Sequence, residues 1–131
     1  MPPPPDDGLG GDDRYDIYLR NIGSYGLTWP GTDGPQPWND LSSYIEIEND
    51  FSGAYPNDDP EGPVAGAMKV TCAHEFHHAV QFGLRGSSTV WLAELTSVAF
   101  EERVYPYVND YVWLIDYFMA VSYTHLTLPT N

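Results

Sequence analysis

The sequence predicts an α+β fold in which short N-terminal β-strands are followed by three helices. Residues 14–20 and 43–48 alternate apolar and polar side chains with the period of two that half-buried strands show. Helices are predicted near 64–83, 88–104 and 107–120. Because the strands come first and do not alternate with the helices, the order of elements favours the α+β class.

In the first predicted strand, Tyr15, Ile17 and Leu19 lie on one face, which we expect to be half-buried. The stretch 23–39 is rich in glycine and proline and is therefore predicted to be a loop, held in place by its tryptophans. The second strand, residues 43–48, ends at an Asn-Asp pair.

The break between the first two helices is predicted from small residues. Gly83 and Gly86 favour a helix C-terminus, and Ser87 and Ser88 are candidate N-caps for the helix that follows. The two helices can then pack antiparallel. The second helix is expected to bury one apolar stripe, formed by Trp91, Leu95, Val98 and Ala99.

The first helix carries a metal-site motif, His-Glu-x-x-His. His74 and His78 lie four residues apart and hence about 40° apart around a helix, so both imidazoles can point at one ion. Glu75 follows the first histidine, so its carboxylate lies beside the ion, where it can take a proton from a zinc-bound water. His77 could compete as a ligand together with His74, but it lies toward the packed face, and we interpret it as a hydrogen-bonded structural histidine.

A catalytic zinc site needs three protein ligands and one open position. Metzincins place a third histidine six residues after the second, where this chain has Leu84. Gluzincins use a glutamate from the following helix, and Glu94 stands at a suitable distance. Glu101 is the alternative ligand or, more plausibly, a hydrogen-bond partner of a ligand histidine. Glu101 and Glu102 precede Arg103 near the helix end, where we expect them to be solvated.

These residues carry a resemblance to a known family. Residues 71–83, followed by Trp91-x-x-Glu94 and Glu101, resemble gluzincin-type zinc metallopeptidases. More narrowly, the pattern is similar to secreted prokaryotic metallopeptidases in which a Tyr-rich segment follows. The match covers about residues 40–118. The resemblance implies the active-site half of a zincin-like fold.

The resemblance also implies the chemistry. It assigns one catalytic zinc ion to His74, His78 and Glu94, makes Glu75 the catalytic base, and implies a secreted endopeptidase acting on protein or peptide substrates. In gluzincins a strand before the metal helix often pairs with substrate, so residues 44–48 are the candidate, and their carboxylates would favour basic substrates.

The chain departs from the family pattern in two respects. His77 occupies a position that is more often aromatic or apolar in that group. No tyrosine or histidine lies between His78 and Glu94, so the group that stabilises an oxyanion is unassigned, and the candidates are Tyr105, Tyr107 and Tyr111.

Composition limits the classes of partner. Nineteen acidic residues against five basic ones give a net charge of −14, which disfavours nucleic acid and anionic membranes as partners. No apolar run approaches the length of a membrane span. Cys72, the single cysteine, excludes an internal disulfide and is expected to be a small core residue.

Calcium is the weaker cofactor candidate. Residues 8–16 resemble one imperfect copy of a glycine/aspartate calcium repeat, but such sites need stacked repeats, so an acidic surface turn is expected. The acidity, concentrated in the first half of the chain, would fit calcium binding or high-salt adaptation, although ordinary solubility explains it as well.

The ends of the chain are expected to lie outside the folded domain. Residues 1–13 read as a disordered leader and residues 14–120 as a partial zincin-like domain. Residues 121–131 back-translate to a sequencing-adapter sequence, so we interpret them as a non-native tail on a truncated fragment.

Two other functions are compatible with the sequence. One is a catalytically inactive binding or adhesion domain in which zinc only ties two helices together. The other is an acidic, calcium-dependent surface module whose His-Glu-x-x-His pattern is fortuitous.

Overall fold

A three-stranded sheet and two helices make up the described part of the chain, which confirms the α+β class. The computed structural model describes residues 8, 10–34, 36, 39–84, 89–113 and 115. The elements are β1 (Ile17–Arg20), β2 (Gly26–Asp33), β3 (Leu41–Glu48), α1 (Pro63–Leu84) and α2 (Val90–Val104). Both predicted strands and both of the first two predicted helices are present.

The sheet has the order β1-β3-β2, with β1 parallel and β2 antiparallel to the central strand. The prediction that residues 44–48 offer an edge to a peptide is therefore wrong, because β3 is paired on both sides. Its carboxylates are also occupied: Glu46 accepts hydrogen bonds from Arg20 and from the indole N–H of Trp29. Strand β2 contacts α1 and has no neighbouring strand on its outer edge among the described residues.

The prediction of a loop over residues 23–39 is wrong for residues 26–33, which form β2. Leu27, Thr28 and Trp29 have high β-propensity and pair with β3, whereas Pro30 is tolerated because it lies on an edge strand next to a register shift. A prediction from glycine and proline content alone therefore does not distinguish this edge strand from a loop.

The core lies between β3 and α1, with α1 packed on β3 and β2. Ile17 and Leu19 stand opposite Ile45 and Ile47 in register and so share the helix-facing side of the sheet. They are nevertheless 55% and 67% exposed, because α1 does not extend over β1, and the prediction of a half-buried face is wrong in this respect. The buried apolar cluster comprises Ile45, Ile47, Phe51, Ala67 and Ala79.

The apolar stripe predicted for α2 is not buried. Trp91 is 67% exposed and Leu95 is 57% exposed, while the buried residues of α2 are Ser97 and Glu101. Helix α2 thus turns a polar side toward α1, which carries the histidines. Cys72 is exposed too, and its assignment to the core is wrong.

Several predictions fall on other parts of the chain. The third helix, predicted over 107–120, begins later than predicted, because residues 107–110 are not helical and residues 111–113 and 115 are. Residues 114 and 116–120 lie outside the described residues. The tail 121–131, the candidate N-caps Ser87 and Ser88, and most of the leader also lie outside them. No helix among the described residues is both long and apolar enough to cross a membrane.

Candidate metal centre

Two histidines of α1 and one glutamate of α2 converge on one point. The Nε2 atoms of His74 and His78, one helical turn apart, are separated by 3.0 Å. The carboxylate of Glu94 places Oε2 3.2 Å from Nε2 of His74 and Oε1 3.4 Å from Nε2 of His78. The structure therefore brings together the three predicted ligands, which lie on two separate helices.

The spacing of these atoms fits a tetrahedral metal ion. Zinc binds imidazole nitrogen and carboxylate oxygen at about 2.0–2.1 Å, which puts neighbouring ligand atoms of a tetrahedral site about 3.3 Å apart. The two nitrogens are 3.0 Å apart, and the separations to Glu94 are 3.2 Å to Oε2 and 3.4 Å to Oε1. With one ligand atom from each residue, the three atoms lie within 4.8 Å of one another. The side chain of Glu94 is 54% exposed, so the centre opens toward solvent on that side. These residues could hold one ion and leave a fourth position accessible.

Glu101 fixes the orientation of His74. Its carboxylate accepts a hydrogen bond from Nδ1 of His74, although Glu101 lies far along α2. Glu101 is buried, so the expectation that it is solvated is wrong, and its other predicted role, as partner of a ligand histidine, is the one observed. With the proton held on Nδ1, the Nε2 atom presents a lone pair to the centre.

His78 is oriented in the same way by two residues that the sequence did not single out. Its Nδ1 atom lies 2.9 Å from Oε1 of Gln81 and 3.3 Å from the hydroxyl of Ser97. Both oxygens can accept the Nδ1 proton, which leaves the Nε2 lone pair free. Helical spacing in the sequence could have indicated both residues. Gln81 follows His78 by three residues and Ser97 follows Glu94 by three, so each shares a helix face with a predicted ligand.

His77 has a structural position outside the cluster. Its Nδ1 atom accepts hydrogen bonds from the amide of Gln81 at 2.9 Å and from the hydroxyl of Ser97 at 3.0 Å. Its ring stacks on Phe100 with the centroids 5.1 Å apart. Burial, followed by the nearby charges of His78 and His74, lowers its pKa. These contacts match the interpretation of His77 as a hydrogen-bonded structural histidine.

The centre is electrostatically suited to a cation. The Nε2 atoms of His74 and His78 and the carboxylate of Glu94 lie at hydrogen-bonding distance from one another, and the Nδ1 atom of each ring has an acceptor oxygen on the opposite side. Burial lowers the pKa of His74, but its hydrogen bond to Glu101 and the charges of the neighbouring glutamates outweigh burial and raise the pKa above its usual value. A positive charge, whether a proton or a metal ion, therefore stabilises the arrangement.

Glu75, the predicted base, lines the same cavity as two of the three predicted ligands, His74 and Glu94. It is 7% exposed, and its Oε2 atom accepts a hydrogen bond of 2.7 Å from the hydroxyl of Thr28. Its Oε1 atom accepts no hydrogen bond from the described residues. Glu75, His74 and Glu94 all line a cavity of about 320 Å³. The carboxylate is therefore held by a hydrogen bond at Oε2, while Oε1 lies beside Gly26 without one.

The same cavity is also lined by Asp110 and two tyrosines. Asp110 is buried, and burial together with the charge of Glu101 raises its pKa to about 6. Of the three tyrosines considered as oxyanion donors, Tyr111 lines the cavity, whereas Tyr105 and Tyr107 are not among its lining residues and contact each other edge to face. Tyr25, which the sequence did not indicate, lines it as well.

Among the residues described, the one group of three or more His, Cys, Asp or Glu side chains close enough to share an ion is His74, His78 and Glu94. In the segment considered for calcium, the carboxylate of Asp12 pairs with Arg14, and that of Asp16 accepts a hydrogen bond from the hydroxyl of Tyr18. These acidic side chains are thus engaged by neighbouring protein groups.

Comparison with known proteins gives no match. No family model, no curated protein and no solved structure is similar to the chain. Any function therefore has to be argued from the site itself.

Proposed function

We propose that this chain carries the catalytic centre of a zinc-dependent endopeptidase of the gluzincin type. The observation that carries the proposal is the convergence of the Nε2 atoms of His74 and His78 and the carboxylate of Glu94, with separations of 3.0–3.4 Å, and a buried glutamate that lines the same cavity as His74 and Glu94. In this assignment His74, His78 and Glu94 hold the ion, and Glu75 is the general base.

Each residue has a defined task in peptide hydrolysis. Zinc, when bound, is a Lewis acid that lowers the pKa of a water molecule and polarises a carbonyl oxygen. Glu75 takes the proton from the attacking water and returns it to the leaving amine. We assign this transfer to Oε1, because Oε2 already accepts a hydrogen bond from Thr28. Glu101 and Gln81 hold the imidazole rings so that Nε2 faces the ion.

The proposed substrate is an extended polypeptide. Strand β2 lies beside Glu75 and has no neighbouring strand on its outer side among the described residues, so it can pair with a peptide by β-augmentation. Pairing there would run the peptide along the cavity that contains Glu75. We further propose that the enzyme acts outside the cell, in line with its acidic, lysine-poor composition.

One observation favours a second function, an inactive zinc-stabilised binding or adhesion domain. Helix α2 leaves Trp91 and Leu95 exposed and meets α1 through Ser97 and Glu101. A metal ion between the two helices would strengthen a contact that has little apolar burial. In that case zinc would raise stability without any turnover.

The replacement Glu75→Gln separates the two functions. Metal-free protein is loaded with zinc, and hydrolysis of a mixture of fluorogenic peptides is measured together with zinc stoichiometry. For the enzyme we expect one zinc per chain in both proteins and a loss of roughly 100- to 10,000-fold in turnover for the variant. Zinc binding without hydrolysis by the unmodified protein would support the inactive domain. Absence of zinc binding by the folded protein would overturn both.

A further inference from the structure

Strand β2 makes two direct contacts with the side chain of Glu75. The first is the hydroxyl of Thr28, which lies 2.7 Å from Oε2 and 2.9 Å from the backbone carbonyl oxygen of Glu75. This contact links residues 47 positions apart in sequence. A single hydroxyl proton shared between these two acceptors ties the carboxylate to its own backbone.

The second contact is made by Gly26, two residues earlier and on the same face of the strand. A Cβ atom at this position would lie 2.6 Å from Cγ of Glu75 and 2.7 Å from the methyl group of Thr71. Both separations are below those that carbon atoms adopt without displacement. The absence of a side chain at Gly26 therefore lets β2 lie directly against the stem of Glu75.

These contacts restrict Glu75 at both ends of its side chain. Gly26 limits the position of Cγ and also borders Oε1, which would lie 3.0 Å from a Cβ atom there, whereas Thr28 holds Oε2 by a hydrogen bond. Oε1 is thus the carboxylate oxygen without a hydrogen bond from the described residues, and we assign the proton transfer to it. A general base must lie within hydrogen-bonding reach of the proton it removes, and a displacement of about 1 Å can cost on the order of 100-fold in rate. A buried carboxylate on a flexible side chain needs such restraint to act in one geometry.

We infer that Gly26 and Thr28 are positioning residues that set the catalytic geometry of Glu75. The inference rests on the proposed function, because it gives Glu75 the role of base. It adds that the edge strand proposed to receive the peptide is also the element that holds the base. The same eight-residue strand would thus pair with the substrate and hold Glu75 in position.

The test uses the full chain with Thr28→Val, which keeps the shape of the side chain and removes the hydroxyl, and Thr28→Ser, which restores it. Thr89→Val is the matched control, because the side chain of Thr89 is exposed and makes no capping hydrogen bond. We expect kcat to fall about 10- to 100-fold in Thr28→Val, with KM and zinc affinity unchanged. Thr28→Ser and Thr89→Val should retain most of the kcat of the unmodified protein.

A purely structural role would give a different pattern. If Thr28→Val kept its kcat, or if kcat, zinc affinity and melting temperature fell together without rescue in Thr28→Ser, the inference would be overturned. Gly26→Ala provides an independent variant, for which we expect lower kcat with zinc still bound. Unchanged kcat in Gly26→Ala would remove Gly26 from the assignment.

Crystal structures of the unmodified protein and of Thr28→Val separate this inference from the proposed function. If the unmodified protein binds zinc but does not hydrolyse peptides, the enzymatic proposal fails, while the structures still report whether Thr28 holds Glu75. A Glu75 carboxylate that leaves its position in Thr28→Val supports the positioning role. A carboxylate that stays in place contradicts it, whatever the activity.

Discussion

Nδ1 of His74 donates a hydrogen bond to the carboxylate of Glu101, which lies 27 residues further along the chain. The bond joins α1 to α2 at a position where both side chains are largely withdrawn from solvent. It selects the tautomer of His74 that offers Nε2 to the proposed ion and raises the electron density on that nitrogen. The strength of metal binding should therefore depend on a residue that does not touch the metal.

Replacement of Glu101 tests this relationship. Glu101→Ala removes the acceptor, so we expect zinc affinity to fall about 10- to 100-fold. Glu101→Gln retains an acceptor oxygen without the charge and should give an intermediate value. Titration of metal-free protein in competition with a chromogenic chelator measures both. Equal affinity in all three proteins would show that Glu101 does not support the site.

Glu94 is expected to contribute far more than Glu101, because in the proposed site it supplies a ligand atom. Glu94→Ala leaves only the two histidines as ligands. We expect zinc affinity to fall by more than about 100-fold, which is the largest loss typical for a residue that only hydrogen-bonds a ligand. Glu102→Ala is the matched control on the same helix and should bind zinc as the unmodified protein does. Tight one-to-one binding by Glu94→Ala would contradict the assignment of the third ligand.

His78 has two hydrogen-bond acceptors on Nδ1, so the effects of removing them should be non-additive. Gln81→Ala and Ser97→Ala each leave one acceptor, and we expect each to lower zinc affinity by less than about 10-fold. The double variant leaves none and should lose more than the product of the single effects. Isothermal titration of all four proteins gives the coupling, and simple additivity would mean that the acceptors do not substitute for each other.

Asp110 should destabilise the metal-free fold at neutral pH. Its pKa in the folded state is about 6, against a usual value of 3.8, so the folded protein holds a proton that the unfolded chain releases. The free energy of unfolding then decreases as the pH rises from about 4 to about 6 and remains lower above that.

Asp110→Asn removes this penalty. We expect the metal-free variant to be about 1 to 3 kcal/mol more stable at pH 8 and to lose the advantage near pH 4. Urea unfolding at both pH values measures the difference. Asp13→Asn, at an exposed position, is the control and should change neither value. A stability gain of equal size at both pH values would assign the effect to something other than ionisation.

The parts of the site that the sequence predicted depend on local geometry. His74 and His78 follow from helical spacing, which places residues four apart on one face whatever surrounds the helix. Glu94 could be named because a family pattern supplied it, and the structure brings it to the two histidines. The class of fold followed from the order of strands and helices.

The parts that the sequence did not predict depend on contacts between distant segments. The composition of residues 23–39 predicts a loop at Thr28, because composition does not reveal that β2 pairs with β3 through hydrogen bonds. Trp91 and Leu95 form the predicted apolar stripe, but periodicity indicates a face and not what covers it. The nearby Arg103 in the sequence predicts a solvated Glu101. In the structure the partner of Glu101 is His74, which is distant in sequence and adjacent in space.

The contacts that build the site differ in the length of chain they enclose, and this has a consequence for folding. The bond between His74 and Glu101 closes a loop of 27 residues within one helical hairpin, whereas the bond between Thr28 and Glu75 spans 47 residues and requires β2 to have joined the sheet. Closing longer loops costs more entropy, and non-local pairing is slow. The hairpin should therefore acquire its metal ligands early, while the arrangement that makes Glu75 competent forms only when the sheet is complete. If the proposed function holds, a nascent chain would bind the ion before it could cleave a peptide.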